Sequence, residues 1–242
     1  EGWFIGLGDI DTAGMEETAR LVGNGFTYSH KFDVRDRAGW NVALDAFATA
    51  AGGWIDVLAN NAGIPLGGSL SENTTEEIDR CIDINLKGVF YGAQAALPHL
   101  KKTAPGSALI NTASAAGIYG TGGASVYSAT KFGVRGMTES LDAEWSEFGI
   151  KVASICPSFI ETPLLDRSPN QGSNESIRER VAAAGLELTS ADDVAQAVWD
   201  AVHGTKLHWL VGKTARQIGF GARWMPGRVR ARSRGMARPL GR

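Results

Sequence analysis

The sequence predicts an α/β fold: a doubly wound parallel sheet with helices on both faces, in three α/β/α layers. Two observations carry this expectation. Short β-rich runs alternate along the chain with stretches of helical periodicity, the order that a parallel sheet with crossover helices requires. The 242 residues, 43% hydrophobic and 21% charged, also suit one ordinary globular domain with a sizeable core.

Strands are expected near residues 3–8, 26–32, 54–59, 107–111, 151–156 and 207–211, and helices over about 12–22, 35–51, 75–100, 124–148 and 191–203. Thr74 followed by Glu77 has the form of a capping box and fixes the start of the third helix. Gly149 supplies the stop for the fourth. Residues 161–189 are polar and weakly periodic, as expected of a mobile flap over a site.

Composition narrows the function classes. No apolar run approaches the roughly 18 residues of a bilayer span, and the opening EGWFIGLGDID has neither a basic start nor a small-residue cleavage site. A cytoplasmic location is expected, so the glycosylation-like triplets at Asn73 and Asn174 carry little weight. Cys81 and Cys156 lie singly in apolar segments, which points to core packing; no metal site is expected.

The net charge of −2 hides an asymmetry. Residues 213–242 hold nine of the 24 Lys and Arg and no acid, leaving 15 basic against 26 acidic residues elsewhere. The chain therefore divides into a domain over 1–212 and a basic extension over 213–242, and no nucleic-acid partner is expected for the acidic body. In the extension Arg216, Arg223 and Arg230 recur every seven residues, with Ile218, Trp224, Met225 and Val229 as apolar surface. It either packs on a neighbouring subunit, touches an anionic membrane surface, or is a solvated, partly disordered extension, since Pro226-Gly227 breaks any single helix.

Two glycine motifs are decoys. Gly6-Leu7-Gly8 lies within a strand with no further glycine at the required spacing, and Gly212-Lys213-Thr214 lacks the partner glycine of a P-loop, because residue 207 is leucine.

Four groups in order carry the chemistry. Asn60-Asn61-Ala62-Gly63 follows an apolar strand, Asn85 lies in a long helix, Ser114 follows the strand ending at Asn111, and Tyr127 and Lys131 share a helix face. Tyr127 is the only tyrosine with lysine four residues on. A lone Tyr/Lys pair would be an ordinary exposed helix pair, and Ser114 or Asn85 alone an incidental polar residue; the joint order is what is specific. This pattern resembles the short-chain dehydrogenase/reductase family, in its compact single-domain, NAD-dependent branch, from residue 1 to about 212. The resemblance implies a Rossmann-like sheet, but the family's first strand, its Gly-rich turn and the following helix have no counterpart in the sequence. In the family's strand order, 3-2-1-4-5-6-7, that strand would lie between the strands at 3–8 and 54–59.

Hydride transfer to or from an alcohol requires a proton to leave or join its oxygen, and Tyr127 can carry it. A free phenol, with a pKa of about 10, is a poor base unless a nearby cation favours the phenolate; Lys131, one turn away, is placed to do so. Ser114 can donate a hydrogen bond to the substrate oxygen. The resemblance gives Asn85 the role of holding a water that connects Lys131 to solvent.

Ligands of such sheets bind beyond the carboxyl ends of the strands. There Asp9 can accept both ribose hydroxyls and repel a 2′-phosphate, which favours NAD over NADP; its bland alternative is capping of the next helix. By resemblance, Asp33 and Val34 flank the adenine, Asn60, Ala62 and Gly63 the adenosine side, Tyr127 and Lys131 also touch cofactor, and Pro157, Ile160 and Thr162 hold the nicotinamide. Ser158 departs from the family, which has glycine after the proline. Ile64, Pro65, Ile118, Tyr119, Phe159 and Leu164 would wall an apolar substrate pocket, or for some of them pack in the core. The expected protein is an NAD-dependent oxidoreductase acting on a small alcohol or carbonyl compound, assembled as a homodimer or homotetramer. The alternatives are a non-catalytic NAD-binding regulator or scaffold, and an inactive fragment of the enzyme.

Overall fold

Side chains at the strand-to-helix turns decide where the helices of this protein begin. The computed structural model describes residues 2–23 and 25–236. β1 (Ile5–Asp9) leads into α1 (Thr12–Val22), whose first turn is capped by Asp11 accepting from the Gly14 N–H at 3.1 Å. β2 (Thr27–Lys31) leads to α2 (Arg37–Ala50), capped by Asp36. β3 (Val57–Asn60) is followed by α3 (Thr75–Ile82), where Thr74 and Glu77 form the expected capping box. A π-helical turn (Asp83–Lys87) joins α3 to α4 (Gly88–Thr103), so the single helix expected over 75–100 carries a local change of winding at Asn85.

β4 (Ala108–Thr112) feeds α5 (Ser125–Trp145), after which Gly149, at φ 69°, makes the left-handed stop. β5 (Lys151–Pro157) is followed by β6 (Phe159–Ile160), α6 (Ile177–Ala183), β7 (Leu188–Thr189), α7 (Ala191–His203) and β8 (His208–Val211). α8 (Lys213–Trp224) and α9 (Pro226–Met236) close the described chain.

All strand pairs are parallel. β3-β4-β5-β8 form one sheet, β1-β2 a separate pair, and β6-β7 a small third piece. Alternation along the strands sends side chains to two cores, as a sheet covered on both faces requires. Leu109 and Val152 pack with Trp40, Leu44, Leu100 and Trp145 of α2, α4 and α5, whereas Ala108, Ile110, Ala153 and Ile155 pack with Ala201, Val194 and Val198 of α7. The fold is thus the doubly wound α/β class expected. Cys81 and Cys156 are fully buried and unpaired.

The β1-β2 pair is not hydrogen-bonded to β3. α2 spans the break: its Phe47 covers Gly6 of β1, while its Trp40 and Leu44 join the core against β4. Around this part of the molecule Ile10, Leu21, Phe26 and Trp54 are more than half exposed.

Two segments carry more structure than the sequence suggests. The segment 161–189 has structure of its own: Ser176 and Glu179 form a capping box that starts α6, and Arg178 pairs with both Glu161 and Asp166. Local polar partners, not apolar periodicity, order it. The extension is not unstructured over 213–236, where Pro226 ends α8 and opens α9; residues 237–242 lie outside the described residues. No helix among the described residues is long and apolar enough to cross a membrane.

Candidate active site

The carboxyl ends of β3 and β4 are tied together by buried amides. Asn60 donates to the Val89 carbonyl at 3.2 Å and to Asn111 Oδ1 at 3.0 Å; Asn111 in turn donates to Thr138 Oγ1 of α5 at 3.1 Å. Asn111 and Thr138 have no exposed surface. Buried side-chain bonds of this kind fix the strand ends relative to α5, and α5 carries Tyr127 and Lys131 on one face.

Lys131 is 3% exposed, and its ammonium donates to the Thr112 carbonyl at the end of β4, at 2.9 Å. Thr112 Oγ1 donates to Asn61 Oδ1 at 3.1 Å, joining the same strand end to the Asn60-Asn61-Ala62-Gly63 segment. Lys131 Nζ stands 5.7 Å from the Tyr127 ring centre. Ser114 begins a 3₁₀ turn (Ala115–Gly117), its Oγ accepting from the Ala116 N–H at 3.2 Å, so its own hydroxyl proton is left for another acceptor. Gly117 lets this turn lie on α5: a β-carbon there would stand 2.6 Å from the Lys131 carbonyl oxygen.

Asn85, fully buried in the π-helical turn, grips the backbone after Gly63. It donates to the Ile64 carbonyl at 2.9 Å and accepts from the Ile64 N–H at 2.8 Å. A β-carbon on Gly63 would lie 3.4 Å from Asn85 Oδ1 and 3.5 Å from Lys131 Nζ, so the three meet at one point. Ser114, Tyr127, Lys131 and Asn85 are therefore brought together, from β4, α5 and the π turn.

Burial sets the electrostatics. Desolvation pulls the Lys131 ammonium down to about 8, and pushes the Tyr127 phenol above its ordinary value, with the neighbouring Ser114 hydroxyl acting in the opposite direction. At pH 7 Lys131 stays mostly cationic.

The other expected positions follow the carboxyl ends of strands in all three sheet pieces or lie in the third. Val34, Asn60, Asn61, Ala62, Ile84 and Gly88 line a narrow cleft. Asp33 is gripped by Arg35 through both carboxylate oxygens, which holds its carboxyl below the usual range. Asp9 ends β1 exposed, its Oδ1 accepting from the Asp11 N–H at 3.0 Å; the helix-capping alternative falls to Asp11. Pro157 ends β5, Ile160 lies in β6, and Thr162 precedes a 3₁₀ turn (Pro163–Asp166). The 161–189 segment reaches across to β3's loop, where Asn170 donates to the Gly67 carbonyl at 2.9 Å and Glu77 accepts from the Gln171 N–H at 2.7 Å. Ser158 Oγ is buried without a hydrogen-bond partner among the described residues, facing Gly212. Of the expected pocket wall, Ile118 is partly buried and packs against Val89, Val134 and Met137.

Sequence reasoning missed the π turn, the Asn60–Asn111–Thr138 ladder and Gly117. Only the ladder left a trace: an asparagine ending an otherwise apolar buried strand demands partners.

The fit to a nicotinamide dinucleotide is uneven. Among the described residues, Lys131 uses one of its three N–H donors, on Thr112, leaving two for ribose hydroxyls, and Asn60 Oδ1 is buried without a partner. The first strand-to-helix turn, however, is Ile10-Asp11, without the glycines whose bare backbone could approach a pyrophosphate.

A family model described as short chain dehydrogenase matches residues 1–173. The 3-alpha-(or 20-beta)-hydroxysteroid dehydrogenase of Mycobacterium tuberculosis is 41% identical over 170 residues, 70% of this chain and 64% of the relative, so the chain spans slightly less than two thirds of that protein's length. The solved structure of 3-ketoacyl-(acyl-carrier-protein) reductase from Brucella melitensis complexed with NADH is 26% identical, with a TM-score of 0.75 over 88% of each chain. A short chain dehydrogenase/reductase from Burkholderia phymatum in complex with NAD shares the fold, with a TM-score of 0.80 over 94% of this chain and 85% of the other at 23% identity.

Proposed function

Since this chain belongs to the short-chain dehydrogenase family, we propose that it is built to move hydride between a nicotinamide cofactor and an alcohol or ketone, with Tyr127 as the general acid/base. The observation that carries the proposal is the meeting of Ser114, Tyr127 and Lys131 at the carboxyl end of β4. In alcohol oxidation, Tyr127 takes the hydroxyl proton as hydride leaves the carbon; in ketone reduction it returns that proton. Burial raises the Tyr127 phenol and the Ser114 hydroxyl lowers it; the Lys131 cation, 5.7 Å from the ring centre, would add to the lowering by favouring the phenolate. Ser114 donates to the substrate oxygen, on which charge develops in the transition state. Asn85 Oδ1 keeps a second lone pair near Lys131, where it can hold the relaying water.

The cofactor, when bound, accepts or supplies the hydride. Lys131 and Tyr127 would hold its ribose beside the nicotinamide, Pro157, Ile160 and Thr162 its nicotinamide, and Asp33, Val34, Asn60, Ala62 and Gly63 its adenosine side. Asp9 favours NAD. Lys31, its register partner on β2, supports NADP as the second reading. A cytoplasmic homodimer or homotetramer is proposed on the family resemblance alone.

The break between β1 and β3 supports a further element of this proposal: the family's first strand and Gly-rich turn belong in it and are needed for tight cofactor binding. Unpaired strand edges and the exposed Phe26 and Trp54 favour this. Without that strand the chain would act as the weakly binding, inactive fragment of the alternative reading. The test compares the 242-residue chain with one extended by roughly 25 residues bearing a strand and Gly-rich turn, within the ~30-residue scale of a βαβ unit. NADH formation from a panel of alcohols, and thermal shift with NAD and NADP, are measured in both. The extended chain should turn over, and Tyr127→Phe should lower its rate by about 10²-fold or more while weakening cofactor binding far less, since Lys131 keeps its share of the ribose contacts. Turnover within a few-fold of wild type in that variant would reject the role of Tyr127. Equal cofactor affinity in the short and extended chains would reject the need for the added strand.

A further inference from the structure

We infer that the α8–α9 hairpin is a docking surface for an anionic lipid bilayer. Charge is the first observation. Between residues 213 and 236 there are seven Lys or Arg and no acid, while the rest of the chain is strongly acidic. Among the described residues, none of these seven forms an ion pair. A basic patch without internal partners on an acidic protein complements an anionic surface and orients the molecule towards it.

The second observation is apolar. α8 buries Thr214 and Ala215, sets Gly219 against Leu210 of β8, and meets α9 at Gly221. Outward it shows Phe220 and Trp224, one turn apart and 60% and 64% exposed. The Arg223 guanidinium lies 5.3 Å from the Trp224 ring centre, and Lys213, Arg216 and Phe220 share an open groove with Met225. Aromatic rings flanked by guanidinium groups suit the headgroup region, with rings at the acyl boundary and cations at the phosphates.

The third observation is attachment. Ser233 of α9 donates to the Gly120 carbonyl and accepts from the Gly122 N–H, both at 3.0 Å. Val229 meets α8 at Gly221, where a β-carbon would stand 2.6 Å from it. The hairpin is thus a fixed surface, fastened at Gly120 and Gly122 to the connection between the Ala115–Gly117 turn and α5, and docking would bring that connection towards the bilayer.

The exposed aromatic pair favours lipid over duplex nucleic acid, which would engage the arginines and leave Phe220 without a role. The test is sedimentation of the 242-residue chain with phosphatidylcholine vesicles, with and without about 30% phosphatidylserine. Binding should require phosphatidylserine and weaken at least tenfold between about 0.1 and 1 M salt. The exposed double substitution Phe220→Ser with Trp224→Ser should weaken it by about tenfold or more. Should that variant fail to fold, quenching of wild-type tryptophan fluorescence by brominated phosphatidylcholine mixed with phosphatidylserine gives a second readout, which Trp224→Phe should remove. No binding to phosphatidylserine vesicles, or binding and quenching indifferent to both substitutions, would overturn the inference. So would tighter binding to a single-stranded oligonucleotide than to the vesicles, or a self-association lost in the double variant without any vesicle binding.

Discussion

Lys131→Met removes a buried cation while keeping an unbranched side chain of good helix propensity. The ammonium is 3% exposed and has one acceptor, the Thr112 carbonyl at 2.9 Å. Its pKa falls from 10.5 to about 8 because burial disfavours the charge. At ~1.4 kcal/mol per tenfold change in proton affinity, holding the charge at pH 7 costs the folded state roughly 3 kcal/mol. Against this, the variant leaves the Thr112 carbonyl without its donor, a loss of about 1–3 kcal/mol.

Methionine should therefore leave the protein as stable as wild type at pH 7, or up to ~2 kcal/mol more stable, while abolishing the proposed turnover. The pH dependence is the sharper signature. Below about 8 the lysine is charged in both folded and unfolded chains, and its full cost stands. Between about 8 and 10.5 the unfolded chain binds the proton that the folded chain has released, so wild type gains stability and the variant's advantage shrinks. Cys81, Cys156 and Tyr127, raised by burial, act the other way in the alkaline range, but they do so in both proteins and largely cancel in the difference. Urea unfolding of the pair at intervals from about pH 7 to 10 measures it. A difference that stays constant or grows with pH would refute the account of Lys131 as a desolvated, unpaired cation.

Two further outcomes follow from the geometry. Asp9→Ala in the extended chain should relax a preference for NAD by more than about tenfold, since bonds to a charged partner are worth roughly 1.5–3 kcal/mol; steady-state kinetics with both cofactors measures it, and a wild-type preference for NADP would reject the assignment. Gly117→Ala should destabilise the chain by about 1–3 kcal/mol and slow turnover, because its methyl meets the Lys131 backbone, which cannot rotate aside, and the displaced turn carries Ser114. An unchanged melting temperature would show that this contact does not fix the turn.

The parts of this molecule legible in its sequence are those governed by local rules. β-rich runs and helical periodicity located the six long strands and five of the helices to within a few residues, and α1 and α7 fall at the expected bounds. The candidate site residues stand out in the sequence for a different reason: the Tyr127/Lys131 spacing needs only one turn of helix to put both side chains on one face. What stayed hidden depends on chain segments distant in sequence. Asn60, Asn111 and Thr138 bond across 51 and 27 residues, and no periodicity predicts which polar side chains will meet under a sheet edge. α8 was hidden because its inner face is made of Thr214, Ala215 and Gly221, residues too small to write an apolar stripe, while its large aromatics point outward. A pattern that places apolar residues inside reads such a helix as an extension without structure. The same inversion leaves Phe220 and Trp224 outside a helix that is otherwise docked, on the face that the proposed bilayer would cover.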